Sequence, residues 1–253
     1  FKSGIVSIQQ VAITIAAGST TGDATITAVG DTTRTAIFFQ GQTNSETSNA
    51  TNADEDFARL TLVNSTTVRA TRDSTDAGSD TVTLYASVVE FADHVVKSVQ
   101  YNTVTIASGA TTGNRTVSSV NTSYAVPHYV GFSAPASDPR FYRSYLELTS
   151  STNVRATRAV STTSAVVVGF CLIEFEPEFL SQAVQNASIT GGTSGTATIS
   201  SVNTSRALVL NRGYSTTQNS NQNGRYRPYW YLNSSTQLAM FADLNSLSNI
   251  ELS

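Results

Sequence analysis

Apolar and polar residues alternate along much of this chain with the two-residue period of a β-strand, and the alternating runs end in Gly, Asn, Asp and Ser turns. The run Thr81–Phe91, TVTLYASVVEF, places Val82, Leu84, Ala86 and Val88 on one side. Its later counterpart Ala165–Phe175, AVVVGFCLIEF, is apolar on both alternating sets, which predicts a central strand covered on both faces. No window carries a convincing amphipathic helix, so the pattern predicts an all-β chain.

The pattern also repeats. LTLVNSTTVRATR at 60–72 returns as LELTSSTNVRATR at 146–158, and a fainter YLNSSTQLAMFA stands at 231–242. A Gln follows an apolar residue ahead of each copy, at Gln9, Gln100 and Gln185, with a period of about 85 residues. These spacings predict three tandem antiparallel β-sandwich domains over 1–95, 96–180 and 181–253. The third reads as incomplete, or as borrowing a strand from elsewhere, because its tail NIELS aligns only with the start of the final strand, leaving a sheet edge without its usual partner. Linkers are short and lack a Gly/Ser-rich tether, which predicts a fixed mutual orientation and a stiff rod or arm. The chain begins at Phe1, which reads as a processed end or the start of a segment cut from a longer protein.

The repeated phrase is explained as one strand pair of a building block. Leu60, Leu62, Val68 and Ala70, like Leu146, Leu148, Val154 and Ala156, are apolar anchors around a tight turn. Ala239 and Ala242 replace both arginines in the third copy, so the arginines read as structural, paired with nearby carboxylates, before they read as an anion site.

Charge adds restraint. Only 13% of residues are charged against about 25% in a typical domain, and the net charge is −3. No basic stripe points to nucleic acid, and no apolar run approaches a membrane span. The single Cys171 admits neither an internal disulfide nor a thiolate zinc site, and it lies in an apolar run as a core residue would. His94 and His128 are the only histidines, and neither accompanies a nucleophile elbow. Glu90 and Glu174 occupy equivalent places in two repeats, which speaks for structure over a catalytic pair. No catalytic residue, cofactor or metal is therefore assigned. The acidic clusters Asp54-Glu55-Asp56 and Asp73, Asp76, Asp80 lack the alternating order of a calcium loop and read as solvated hairpin loops.

The segments that differ most between repeats carry the candidate binding residues, since loops on a rigid scaffold commonly bind. Gln40 opens one such stretch, QGQTNSETSNATNADED. Two others mix arginine with aromatics: Arg140, Phe141, Tyr142 and Arg143 in one, Arg225, Tyr226, Arg227, Tyr229, Trp230 and Tyr231 in the other. Such a mixture suits a protein interface, the favoured reading, or a glycan whose rings stack on aromatic faces.

The layout SVQ…G…TVSSVNTS…LELTSSTNVRATR…LIEF resembles the β-sandwich repeats of structural proteins in tailed-bacteriophage particles, and loosely the six-stranded H-type lectin sandwich of phage adhesion proteins. The resemblance implies a non-enzymatic virion component assembled in the host cytoplasm: a capsid decoration or head-fibre protein, or a tail or baseplate arm. It further implies other virion proteins as partners, a homo-oligomer with a trimer favoured, and, as the alternative, a host surface glycan held by the variable loops. No lectin-site residue carries over, because no sugar-binding motif matches position by position.

Overall fold

A computed structural model describes residues 4–45, 57–73, 80–135, 142–191, 194–216, 229–241 and 250–252. Its strands fall into three successive sets of six. The first holds β1 (Ile5–Ile15), β2 (Thr21–Thr25), β3 (Thr35–Asn44), β4 (Arg59–Asn64), β5 (Thr67–Thr71) and β6 (Val82–Phe91). The second holds β7 (Val96–Ile106), β8 (Thr112–Thr116), β9 (Ala125–Ser133), β10 (Ser144–Ser150), β11 (Asn153–Arg158) and β12 (Val166–Phe175). The third holds β13 (Ile189–Gly191), β14 (Ser194–Thr198), β15 (Tyr214–Thr216), β16 (Tyr229–Ser234), β17 (Gln237–Phe241) and β18 (Ile250–Leu252). Every pairing is antiparallel, and the described residues contain no α-helix.

One strand order serves all three sets. The last strand lies between the first and third, as in β1-β6-β3, β7-β12-β9 and β13-β18-β15. The fifth lies between the second and fourth, as in β2-β5-β4, β8-β11-β10 and β14-β17-β16. The architecture is β-sandwich-like. β18 takes the central place that β6 and β12 hold, with three residues where those strands have ten.

Repeated side chains explain why the order recurs. Gln9 clasps the backbone of Thr27, accepting from its N–H at 2.7 Å and donating to its carbonyl at 2.8 Å. Gln100 does the same to Ser118 and Gln185 to Ser200, so the recurrent glutamine ties the first strand, or in the third set the segment just ahead of it, to the loop after the second. Glu90 and Glu174 are buried and accept from the backbone N–H of Asp31 and Asn121, both at 2.9 Å, with Ser7 and Ser98 on their second oxygens. Arg72 and Arg158 are buried too. Arg158 donates to the carbonyls of Ala107, Ala110 and Ser164 at 2.9–3.0 Å, and Arg72 reaches those of Ala16, Ser19 and Asp80. The exposed arginines of the phrase pair with carboxylates, Arg69 with Asp23 and Arg155 with Glu147. The phrase is structural, as its loss in the third copy suggested.

The sets are not strung end to end. The first core runs from Ile13, Ile37, Leu84 and Val88 across to Val99, Val126, Cys171 and Ile173 of the second set. The β7-β12-β9 sheet therefore has two apolar faces, one closing its own sandwich through Phe170 and Leu172 and one covered by the first set. This is why β12 is apolar on both alternating sets. It also overrides the rod: an apolar outer face must be covered, and a short linker lets the neighbouring set fold back to cover it.

Candidate functional site

The junctions between sets are built alike. At the first, Arg59 opens β4 and pairs with Gly131 of β9, joining two half-sheets into one of six strands. Gly131 has φ +105°, and a methyl group on it would lie 2.2 Å from the Ala58 carbonyl oxygen, so only glycine permits the approach. Phe57 stacks on Phe132 with centroids 4.6 Å apart, and the Arg59 guanidinium donates to the Ser133 hydroxyl. At the second junction Tyr145 bridges Gly213, whose φ is +96° and whose added methyl would lie 2.3 Å from the Ser144 oxygen. Leu146 N–H donates to the Arg212 carbonyl at 2.8 Å, and the Arg143 guanidinium lies 5.5 Å from the Tyr214 ring centre. Alignment of the strands makes Arg143 the counterpart of Phe57, and Tyr214 that of Phe132.

Counterpart residues of all three sets converge. The Phe38 ring is 5.3 Å from His128, and Leu210, their counterpart, packs on the first core. Phe39 meets Tyr129 edge-on at 6.5 Å, and the Tyr129 N–H donates to the carbonyl of Asn211 at 2.9 Å. In a linear array the counterparts in the first and third sets would lie two repeats apart. Here they share one cleft, so the sets surround a common axis.

Among the described residues, the third junction, where the last set meets the first, is open. Gly41 holds the bulge position of Gly131 and Gly213, with φ +145°, yet an added methyl would meet nothing within 4 Å. Trp230 stands where Ala58 and Ser144 stand elsewhere, and Gln42 replaces the aromatic of Phe132 and Tyr214. Between them lies a cleft of about 550 Å³, walled by Phe39, Phe57, Tyr129, Phe132, Tyr214 and Trp230. No described residue covers the outer face of β1-β6-β3 beside it: Ile8 is 57% and Tyr85 43% exposed, whereas Val99, the counterpart of Ile8, is buried. We call this open junction the seam.

Two buried groups lie at the first junction. His128 is 4% exposed and neither ring nitrogen has a hydrogen-bonding partner; the Asn211 backbone favours the charged ring but does not reach bonding geometry. Burial dominates and pushes its pKa down to about 4. The Cys171 thiol approaches the Ile37 carbonyl at 3.6 Å, and burial pushes its pKa up to about 12.

Of the sequence candidates, Arg140, Phe141, Arg225, Tyr226 and Arg227 lie outside the described residues, as does the side chain of Tyr229. Tyr142 belongs to the second core at 3% exposure and offers no ligand surface. Arg143 is buried at the second junction, serving an interface within the chain. Tyr231 is 44% exposed, and Trp230 lines the seam. Phe39 and Phe57 were missed as cleft residues, because each looks like ordinary strand or loop sequence until the sets close on one another, whereas Gln40 and Asn211 open two of the variable segments. Of the acidic clusters, Asp54, Glu55, Asp56 and Asp76 lie outside the described residues, Asp73 pairs with Arg59 at 3.4 Å, and Asp80 accepts from Ser45. Among the described residues no three metal-ligating side chains gather, and no helix is long and apolar enough to cross a membrane. Comparison with family models, curated proteins and solved structures gives no match.

Proposed function

We propose that this chain is a non-enzymatic structural component of a tailed-phage particle, a capsid decoration or head fibre or a tail or baseplate arm, that acts by protein–protein assembly. The observation that carries the reading is the thrice-repeated strand order locked by the same glutamine clasp, with two like junctions. Such construction favours a rigid block over a moving machine. The phage-like repeat layout supports the same reading, as does a face carrying Ile5, Val6 and Ile8 in the open. On this reading the division into three domains reflects duplication of one unit, and partner contacts form on the outer faces.

An antibody against the chain tests this on intact particles from the source culture. Gold over heads or at tails places the protein on the particle, and unlabelled particles overturn the reading. Native mass measurement adds the assembly state, for which the resemblance implies a trimer. A strictly monomeric chain with no affinity for particles counts against it.

The seam favours a second reading, a carbohydrate-binding adhesion module, because an aromatic cleft is a common form of small-ligand site. Binding of the labelled chain to host cells, competed by host-surface polysaccharide, tests that reading. Absence of cell binding overturns it.

A further inference from the structure

We propose that β1 pairs edge to edge with β1 of a second copy of this chain, so that two chains form an isologous dimer about a two-fold axis. The proposal goes beyond the particle reading and stands without it, because the contact needs no other protein.

Three equivalent edges make the first argument. The opening strand of each set is the outer strand of its sheet, β1 beside β6, β7 beside β12 and β13 beside β18. An outer strand presents a row of unpaired N–H and C=O groups to any strand that passes, and proteins blunt it with a charged side chain or by keeping it short. β7 carries Lys97, whose side chain is 56% exposed and whose ammonium lies 3.1 Å from the buried Glu174 carboxylate. β13 runs for three residues, Ile189–Gly191. β1 has neither defence. It runs for eleven residues, IVSIQQVAITI, with no charged side chain and no proline. Counted from the shared glutamines Gln9 and Gln100, Val6 stands where β7 has Lys97. Both strands carry a register shift near this end, so the bulge does not set them apart.

What the edge offers identifies the partner. Among the described residues no strand lies on the side of β1 away from β6. Its far end is closed, since a methyl group on Gly22 of β2 would lie 2.1 Å from the Thr14 carbonyl oxygen, so the free length is the half that holds Val6, Ile8 and Gln10. Val6 is 62% exposed, more even than Ile8. Gln10 is held over its own sheet by Ser87, to whose hydroxyl its Nε2 donates at 3.0 Å. An unpaired backbone row takes an extended strand, and an uncharged strand accepts its own copy without like charges meeting at the axis. With the axis beside Ser7, Val6 of each chain stands opposite Ile8 of the other, and apolar surface that is open in the single chain is covered twice over. Joining sheets by their edges is also what this protein does internally, where Arg59 of β4 pairs with Gly131 of β9.

Sedimentation velocity of the whole chain from about 1 µM to about 200 µM tests the contact. A monomer–dimer equilibrium is expected, with the outward-facing backbone amides between Val6 and Gln10 exchanging more slowly at the high concentration. Val6→Lys gives β1 the lysine that β7 already carries, with Glu90 in the place of Glu174, so the variant keeps its fold and should weaken the dimer by about tenfold or more. Val63→Lys puts the same charge on another exposed side chain, on β4, and should leave the dimer unchanged. A chain that stays monomeric at every concentration overturns the proposal. So does an oligomer that Val6→Lys leaves intact, or whose amides between Val6 and Gln10 exchange at one rate throughout. Particle labelling succeeds or fails on its own: a dimer with unlabelled particles keeps this contact without the particle reading, and a monomer that labels particles keeps that reading without this contact.

Discussion

Lowering the pH should weaken this fold through one histidine. In the unfolded chain His128 titrates near 6.5, and in the folded chain at about 4, because its ring is buried beside Phe38 with no hydrogen-bonding partner for a second proton. Its folded pKa is depressed, so the unfolded state binds the extra proton first. The stability associated with the neutral ring is full above pH 6.5 and is lost as pH falls toward 4. The whole shift corresponds to about 3 kcal/mol, with about 2 kcal/mol gone by pH 5. Asp23 and Asp31 carry depressed pKa values through hydrogen bonds with Arg69 and Thr33, and their contributions fall away only below the ordinary carboxylate range. The window between pH 5 and 7 therefore isolates the histidine from them. Urea denaturation at half-unit pH steps measures the slope. His128→Leu places at this position the residue that its counterpart Leu210 already supplies, and should flatten the curve between pH 5 and 7. A variant that keeps the wild-type slope refutes the assignment.

Three further outcomes follow from the packing. Gly131→Ala and Gly213→Ala drive a methyl group into a backbone oxygen and should each cost about 3 kcal/mol or more, whereas Gly41→Ala meets open space and should cost only its backbone strain, about 1–2 kcal/mol; thermal denaturation ranks the three. Arg158→Met strands several buried carbonyl partners and should destabilise by about 3 kcal/mol or more, visible as a lower urea midpoint at unchanged slope. Cys171 should resist iodoacetamide under native conditions and react at the rate of global opening, since its thiol is fully buried; prompt alkylation of the folded protein contradicts the packing of the first set on β12.

Much of the fold is legible in the sequence because it depends on local period. Alternation along Val82–Phe91 and the doubled apolar face of Val166–Phe175 both predict strands, and the second predicts coverage on both faces. The repeated glutamine, glutamate and arginine positions are visible as repeats; the glutamates are structural as expected, and Arg69 and Arg155 find the expected carboxylates, whereas Arg72 and Arg158 bond backbone carbonyls instead. What local period lacks is the direction in which one set turns toward the next. Nothing in the stretch around Gly131 announces a close approach to Ala58, and Tyr142 in its Arg- and Tyr-rich loop looks as exposed as Tyr231. The cleft depends on residues far apart in the chain: Gln40, Asn211 and Trp230 stand out only as members of variable segments, and nothing in the sequence brings them together with Phe39 and Phe57.

The open seam has a consequence for stoichiometry and divergence. In a ring of identical subunits every change is copied to each corner, so a large side chain at one junction must be accommodated at all of them. Joining the corners in one polypeptide removes that constraint: alanine, serine and tryptophan occupy one equivalent place, at Ala58, Ser144 and Trp230. Two corners can thus be specialised for cohesion while the third is free to vary.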